Sequence, residues 1–141
     1  MTQTSDIIFD SSLAEKYPLT ILLAEDNIVS QKITCFLLNE LGYEADIATN
    51  GQDVLDKIQK DKYDLILMDI EMPRMNGFDT THTIRQLDLD SQPYIIAMTA
   101  HNTKTHRHKC QQSGMNDFML KPLDIPDFLT ALKTCFDQVC F

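Results

Sequence analysis

The sequence predicts a doubly wound α/β fold, a parallel five-stranded sheet with helices on both faces. Three observations carry this. Short, almost wholly apolar runs alternate five times with segments of helical period along the 141 residues, the pattern of strands buried on both faces and joined through helices. The connections are short, which suits right-handed βα crossovers within one sheet. Hydrophobic residues make up 43% of the chain, enough for the single core of one domain, so long disorder is expected only at the ends.

Taken in order, residues 1–18 read as an N-terminal tail or linker and residues 19–141 as the domain. Ile7, Ile8 and Phe9 form an apolar cluster able to dock, without the period of a long element. Tyr17-Pro18 marks an extended entry, because proline disfavours helix in the residue before it. Thr20 to Ala24 is a continuous apolar run and the first strand. Val29, Ile33, Phe36, Leu37 and Leu41 recur at helical spacing and define the first helix by its apolar stripe. Gly42 supplies a left-handed stop. Tyr43 to Ala48 is the second strand; Val54, Leu55 and Ile58 mark a short helix after Asn50-Gly51. Tyr63 to Met68 is the third strand, followed past the Gly77 turn by a helix on Phe78, Thr81, Ile84 and Arg85. Pro93 to Met98 is the fourth strand, Lys104 to Ser113 the fourth helix and Asn116 to Leu120 the fifth strand. Asp124 caps a last helix whose apolar face is Phe128, Leu129, Leu132 and Phe136.

Charge narrows the partners. The net charge is −9 and only 12 residues are Lys or Arg, against the clustered cations that nucleic acid or an anionic membrane surface requires. No apolar run approaches the roughly 20 residues of a membrane span. The N-terminal stretch has neither a basic start nor a long apolar segment, so no signal peptide is expected. Cys35, Cys110, Cys135 and Cys140 form no CxxC pair. Cys35 and Cys135 fall within apolar helical patterns, which reads as reduced thiols in a cytoplasmic protein.

In parallel sheets of this kind, chemistry gathers beyond the carboxyl ends of the strands. There the sequence places Glu25-Asp26 after the first strand, Asp69 after the third, Thr99 after the fourth and Lys121 after the fifth. Two carboxylates about 4 Å apart repel by roughly 4 kcal/mol at an effective dielectric of about 20. Three of them beside one ammonium therefore call for a divalent cation, and all-oxygen donors suit Mg²⁺, Mn²⁺ or Ca²⁺. An open metal site with a lysine and a hydroxyl fits the spread charge of a phosphoryl group in transfer, with a carboxylate as nucleophile.

Glu25-Asp26-Asn27, Met68-Asp69-Ile70-Glu71-Met72-Pro73 through Gly77, Met98-Thr99-Ala100 and Lys121-Pro122 resemble the motifs of the receiver domain of two-component response regulators. The resemblance covers about residues 19–140 in family order and spacing. It implies a flavodoxin-like sheet of order 2-1-3-4-5, with Asp69 as phosphoacceptor and Mg²⁺ (or Mn²⁺ as substitute) on Glu25, Asp26, Asp69 and the backbone carbonyl of Glu71. It further implies Thr99 and Lys121 as the groups that bond the phosphoryl oxygens, Thr99 and Phe118 as the conformational switch, and a cis peptide at Lys121-Pro122. Phe118 reads equally well as an edge-strand core residue. Glu71 and His101 occupy the two positions that tune phosphoryl lifetime in the family, with the sign of their effect left open.

Gln31-Lys32, Met-Thr-Ala-His101 and the Cys110-x-x-x-Gly114 spacing look most like receivers of hybrid histidine kinases, and Leu13 to Leu19 resembles the linker before them. Ser30 departs from that subfamily, which often has Asn there. The implied partner is a histidine kinase transmitter or a histidine phosphotransfer protein, docked near the active-site edge and the first helix. The fourth helix, fifth strand and fifth helix form the implied readout face, which in the family often pairs with partners or a second copy of the chain. With no DNA-binding segment after the last helix, output is expected through contacts, in the cytoplasm or tethered to a larger, membrane-associated sensor kinase.

Three alternatives share parts of this pattern. A receiver-like module that accepts no phosphate would usually lack a motif residue, and none is missing. An aspartate-nucleophile phosphatase also uses Asp, an acid two residues on, a hydroxyl and a lysine, but places its nucleophile on the first strand of the motif order. A flavin site would need amide donors after the first strand, where Glu25-Asp26 has the wrong sign. His101, His106 and His108 are close in sequence, yet residues two apart on a helix face different sides, so they read as exposed polar residues rather than a chelate.

Overall fold

The computed structural model describes residues 12–139. Five parallel strands, β1 (Ile21–Ala24), β2 (Ala45–Ala48), β3 (Leu65–Asp69), β4 (Tyr94–Thr99) and β5 (Asp117–Leu120), form one sheet in the order β2-β1-β3-β4-β5. Strands β1, β3 and β4 are buried at every position. That explains their continuous apolar sequence, since both sheet faces are covered. Strand ends fall within two residues of the expected ones.

Helices α2 (Ile28–Glu40), α3 (Gly51–Lys60), α4 (Gly77–Gln86) and α5 (Lys104–Ser113) make the four crossovers, and α6 (Ile125–Val139) follows β5. Each opens on a side-chain cap: Asn27, Asn50, Asn76, Thr103 and Asp124 accept from the backbone N–H three residues on, at 2.8–3.0 Å. Such caps are each worth about 1 kcal/mol, and they start every helix just beyond a strand's carboxyl end. On one face Ile21, Leu23, Leu67, Ile96 and Met98 pack with Leu38, Leu41, Phe128 and Leu132. On the other Leu22, Ile66, Met68 and Ile95 pack with Val54, Ile58, Ile84 and Cys110. Cys110 and Cys135 are buried, Cys35 is half-buried, and none of the three is in a disulfide. Among the described residues no helix is long and apolar enough to cross a membrane.

Two regions depart from expectation. Leu13–Lys16, within the stretch expected as a tail, forms a one-turn helix, α1. Leu13 is buried, the Ala14 N–H donates to Leu41 O at 3.2 Å, Tyr43 Oη donates to Tyr17 O at 2.6 Å, and the Tyr17 ring meets Phe136 edge-on at 5.2 Å. A single turn with one buried leucine shows no period, so only tertiary contact reveals it. Ile7, Ile8 and Phe9 lie outside the described residues.

The second departure is the face of α2. Leu37 and Leu41 pack inward as expected, but Ile28, Val29, Ile33 and Phe36 are 54–65% exposed. Its apolar residues form two stripes, and Thr34, Leu38 and Leu41 take the core side. The turn into β2 fixes that choice: Gly42 sits at φ 90°, and the Tyr43 N–H donates to Leu38 O at 2.9 Å.

Candidate functional site

The strand register assembles the site. Ala24 pairs with Met68, Asp69 with Met98, and Thr99 with Leu120. The next residue of β1 is therefore set beside Asp69, and the next of β5 beside Thr99. Carboxylate oxygens of Glu25, Asp26 and Asp69 lie within 4.8 Å of one another. Glu25 and Asp69 are buried while Asp26 is exposed, so the cluster opens to solvent on the Asp26 side. Lys121 Nζ donates to Glu25 Oε1 at 3.1 Å and to Asp69 Oδ1 at 3.3 Å. The Lys121-Pro122 peptide is cis, and the Lys121 N–H donates to Thr99 O at 2.8 Å.

The loop after β3 folds back onto Asp69. The Glu71 N–H donates to Asp69 Oδ1 at 3.2 Å, and the Gly77 N–H donates to Ile70 O at 3.0 Å. A Cβ on Gly77 would stand 2.8 Å from Asp69 O and from Ile70 Cα, so this glycine is required by close approach of two backbones. On the β1 side, the Asn27 N–H donates to Glu25 Oε2 at 3.3 Å and Gln31 Nε2 donates to Glu25 O at 2.7 Å.

The electrostatics follow from burial. Desolvation, with the hydrogen bond and charge of Asp69 adding to it, pushes the Glu25 carboxyl up to about 7, although Lys121 pulls the other way. Burial opposes the charge on Lys121, but Asp69 and Glu25 outweigh it and hold the ammonium above its ordinary range. One cation for three acids leaves the cluster short of positive charge, and hard oxygen donors fit a divalent cation such as Mg²⁺.

Glu71 and His101 meet directly, His101 Nε2 lying 3.1 Å from Glu71 Oε2. Phe118 is half-buried against the second core with the Arg107 guanidinium 4.8 Å over its ring. The buried Thr99 hydroxyl accepts the His101 N–H at 3.0 Å and lies 3.0 Å from His106 Nε2. His106 was expected as an exposed polar residue; instead it is half-buried beside Thr99. The signal for it was positional, since a helix starting five residues after a strand end turns its first side chains back over that end. A surface cleft of about 450 Å³ lies at the opposite edge. There Arg85 is committed to Gly114 O, Pro93 O, Gln92 and Asn116, so that cleft adds nothing to this chemistry.

Residues 21–133 match the family model of the response regulator receiver domain. The chain belongs to that family. This receiver domain is 42% identical over 134 residues to histidine protein kinase 1 of Candida albicans, a match covering 88% of this chain but 5% of that protein; it thus spans a small fraction of its relative's length. It is similar to the receiver domain of the sensor histidine kinase PA1611 of Pseudomonas aeruginosa, solved with a magnesium ion coordinated in its active-site cleft. That likeness has a TM-score of 0.77 at 33% identity, covering 84% of this chain and 98% of that one. The same fold recurs in the Saccharomyces cerevisiae receiver domain of Ssk1, solved with the histidine phosphotransfer protein Ypd1, at TM-score 0.77 and 24% identity over 86% of this chain and 91% of that one. The receiver fold and its place in two-component signalling are therefore those of this chain.

Proposed function

We propose that Asp69 is the phosphoacceptor of this receiver domain, taking a phosphoryl group from a phosphohistidine donor. The observation that carries the proposal is the convergence of three carboxylates and Lys121 at the carboxyl edge of the sheet. Glu25, Asp26, Asp69 and the Glu71 carbonyl are the groups that would hold Mg²⁺, or Mn²⁺ in its place, and the ion would neutralise charge on the transferring group. An O–P bond forms on an Asp69 carboxylate oxygen as the donor's N–P bond breaks and the imidazole leaves with the electron pair. Lys121, already on Asp69 and Glu25, is positioned to follow the new phosphoryl oxygens, and the Thr99 hydroxyl to bond one of them. Movement of Thr99 and inward rotation of Phe118 then bias a pre-existing equilibrium of the α5–β5–α6 face, where a downstream partner or second copy binds. Glu71 and His101, bridged across the rim, set access of water to the acyl phosphate.

The donor is a kinase transmitter or a histidine phosphotransfer protein, seated on α2. Ile28, Val29, Ile33 and Phe36 offer an exposed apolar patch that begins two residues after Asp26, so an apolar partner face docked there brings its phosphohistidine to the carboxylates. A cytoplasmic, reducing setting suits the thiols. Labelling with a phosphohistidine donor or acetyl phosphate should give an acid-labile, hydroxylamine-sensitive phosphate that Asp69→Asn abolishes. Label that persists in Asp69→Asn would reassign the acceptor, and no label at all would leave an interaction module.

A further inference from the structure

We propose that His106 is a positioning residue for the phosphoryl switch: it holds the Thr99 hydroxyl in the phosphate-free state and gives it up when Asp69 is phosphorylated. This rests on the assignment of Asp69 as acceptor and adds a residue that the motifs do not contain. A threonine hydroxyl has one proton and two lone pairs. On Thr99 one lone pair accepts the His101 N–H at 3.0 Å, and His106 Nε2 stands 3.0 Å away on a second direction. When the imidazole carries its proton on Nδ1, Nε2 accepts and the hydroxyl's only proton is committed to it. When Nε2 carries the proton, it takes the second lone pair. In both forms two bonds from one corner, the β4–α5 connection and the first turn of α5, fix Oγ1. With Nε2 accepting, donation to a phosphoryl oxygen requires the His106 bond to part; with Nε2 donating, it is the turn of the side chain toward Asp69 that parts it.

The imidazole is itself held. Its ring packs edge-on to Phe78 at 5.4 Å and against the His101 ring at 5.3 Å, and the His106 backbone N–H donates to the Thr103 cap at 3.0 Å. The next residue, Arg107, covers Phe118 at 4.8 Å. One turn of α5 thus touches both expected switch residues, His106 on Thr99 and Arg107 on Phe118. Release of Thr99 from His106 alters the packing of the same turn that lies over Phe118, which gives the two side chains a shared mechanical element.

The test is a beryllofluoride titration with Mg²⁺ on the wild-type chain, His106→Leu and His106→Gln, followed by NMR. Leu removes the competing bond, so apparent affinity should tighten by about two- to twelve-fold, the net worth of one hydrogen bond. Gln, which keeps a polar group at the Nε2 position, should return to within about two-fold of wild type. In the wild-type chain the His106 imidazole ¹⁵N resonances should move on saturation and stay put in Asp69→Asn. A folded His106→Leu that binds no tighter than wild type overturns the role, as do imidazole resonances that ignore beryllofluoride binding. If His106→Leu does not fold, the wild-type resonances decide alone. Failure of the wild-type chain to bind beryllofluoride instead overturns the assignment of Asp69.

Discussion

Lys121 and Glu25, 96 residues apart in the chain, meet at 3.1 Å in a cluster that holds more acid than base. Glu25 ordinarily ionises near 4.5 and here is pushed up to about 7 by burial and by Asp69. Between these values the folded chain keeps a proton that the unfolded chain has lost. The contribution is therefore complete below about 4.5 and is lost as pH rises through about 7. Metal-free protein should show a loss of urea stability from about pH 4.5 to about pH 7 that flattens in Glu25→Gln. An identical slope in the variant would place the titration elsewhere.

The same proton opposes the proposed Mg²⁺. A cation bound by Glu25 displaces it, so Mg²⁺ affinity should climb by up to about tenfold per pH unit below the Glu25 midpoint and level off above it. Asp69→Asn removes the neighbour that raises Glu25, and the ¹³C-detected midpoint of that carboxyl should fall. A midpoint that stays near 7 would leave burial as its sole cause.

Gly77→Ala places a methyl 2.8 Å from Asp69 O and Ile70 Cα, both backbone. Neither can swing aside, so the loop carrying Asp69 must shift. The expected cost is about 1–3 kcal/mol by denaturant unfolding, with labelling of Asp69 by acetyl phosphate slowed as well. Unchanged stability and labelling would mean that the two backbones can separate freely.

The sheet order followed from the family resemblance, whereas all five strands and the helix after each were legible because apolar runs and helical spacing are local signals. So was the list of strand-end residues, since a parallel sheet gathers them by topology alone. What stayed hidden depends on packing direction. Val29, Ile33 and Phe36 sit at helical spacing whichever way α2 turns, and only the Leu38–Tyr43 turn selects Leu38 and Leu41 for the core. Gly77 looked like a turn residue, whereas its reason is the backbone across from it. His106 reads as solvated until α5 is laid against Thr99.

The docked N-terminal turn should behave as core. Leu13 is 5% exposed among Leu38, Leu41 and α6 side chains, so Leu13→Ala should cost about 2–3 kcal/mol. Tyr43→Phe, which deletes the 2.6 Å bond to Tyr17 O, should cost about 1 kcal/mol. Both are read from urea midpoints at constant m. A loss below about 0.5 kcal/mol for Leu13→Ala, the scale of surface changes, would return this stretch to a tail.

The exposed stripe of α2 separates docking from chemistry. Ile33→Ser and Phe36→Ser touch neither the carboxylates nor the core, so stability should change by no more than about 0.5 kcal/mol. Labelling by acetyl phosphate, which needs only Asp69 and its cluster, should be unaffected. Transfer from a phosphorylated histidine phosphotransfer protein should slow by about 30-fold, because an anchor at the centre of an interface is commonly worth about 2 kcal/mol or more. Leu38→Ser on the opposite stripe should instead unfold the domain, since it leaves a hydroxyl in a fully buried site. Equal transfer rates for wild type and both exposed variants would move the docking surface off α2, while parallel losses with both donors would show that the substitutions reach the site through the Asn27 cap rather than through a partner.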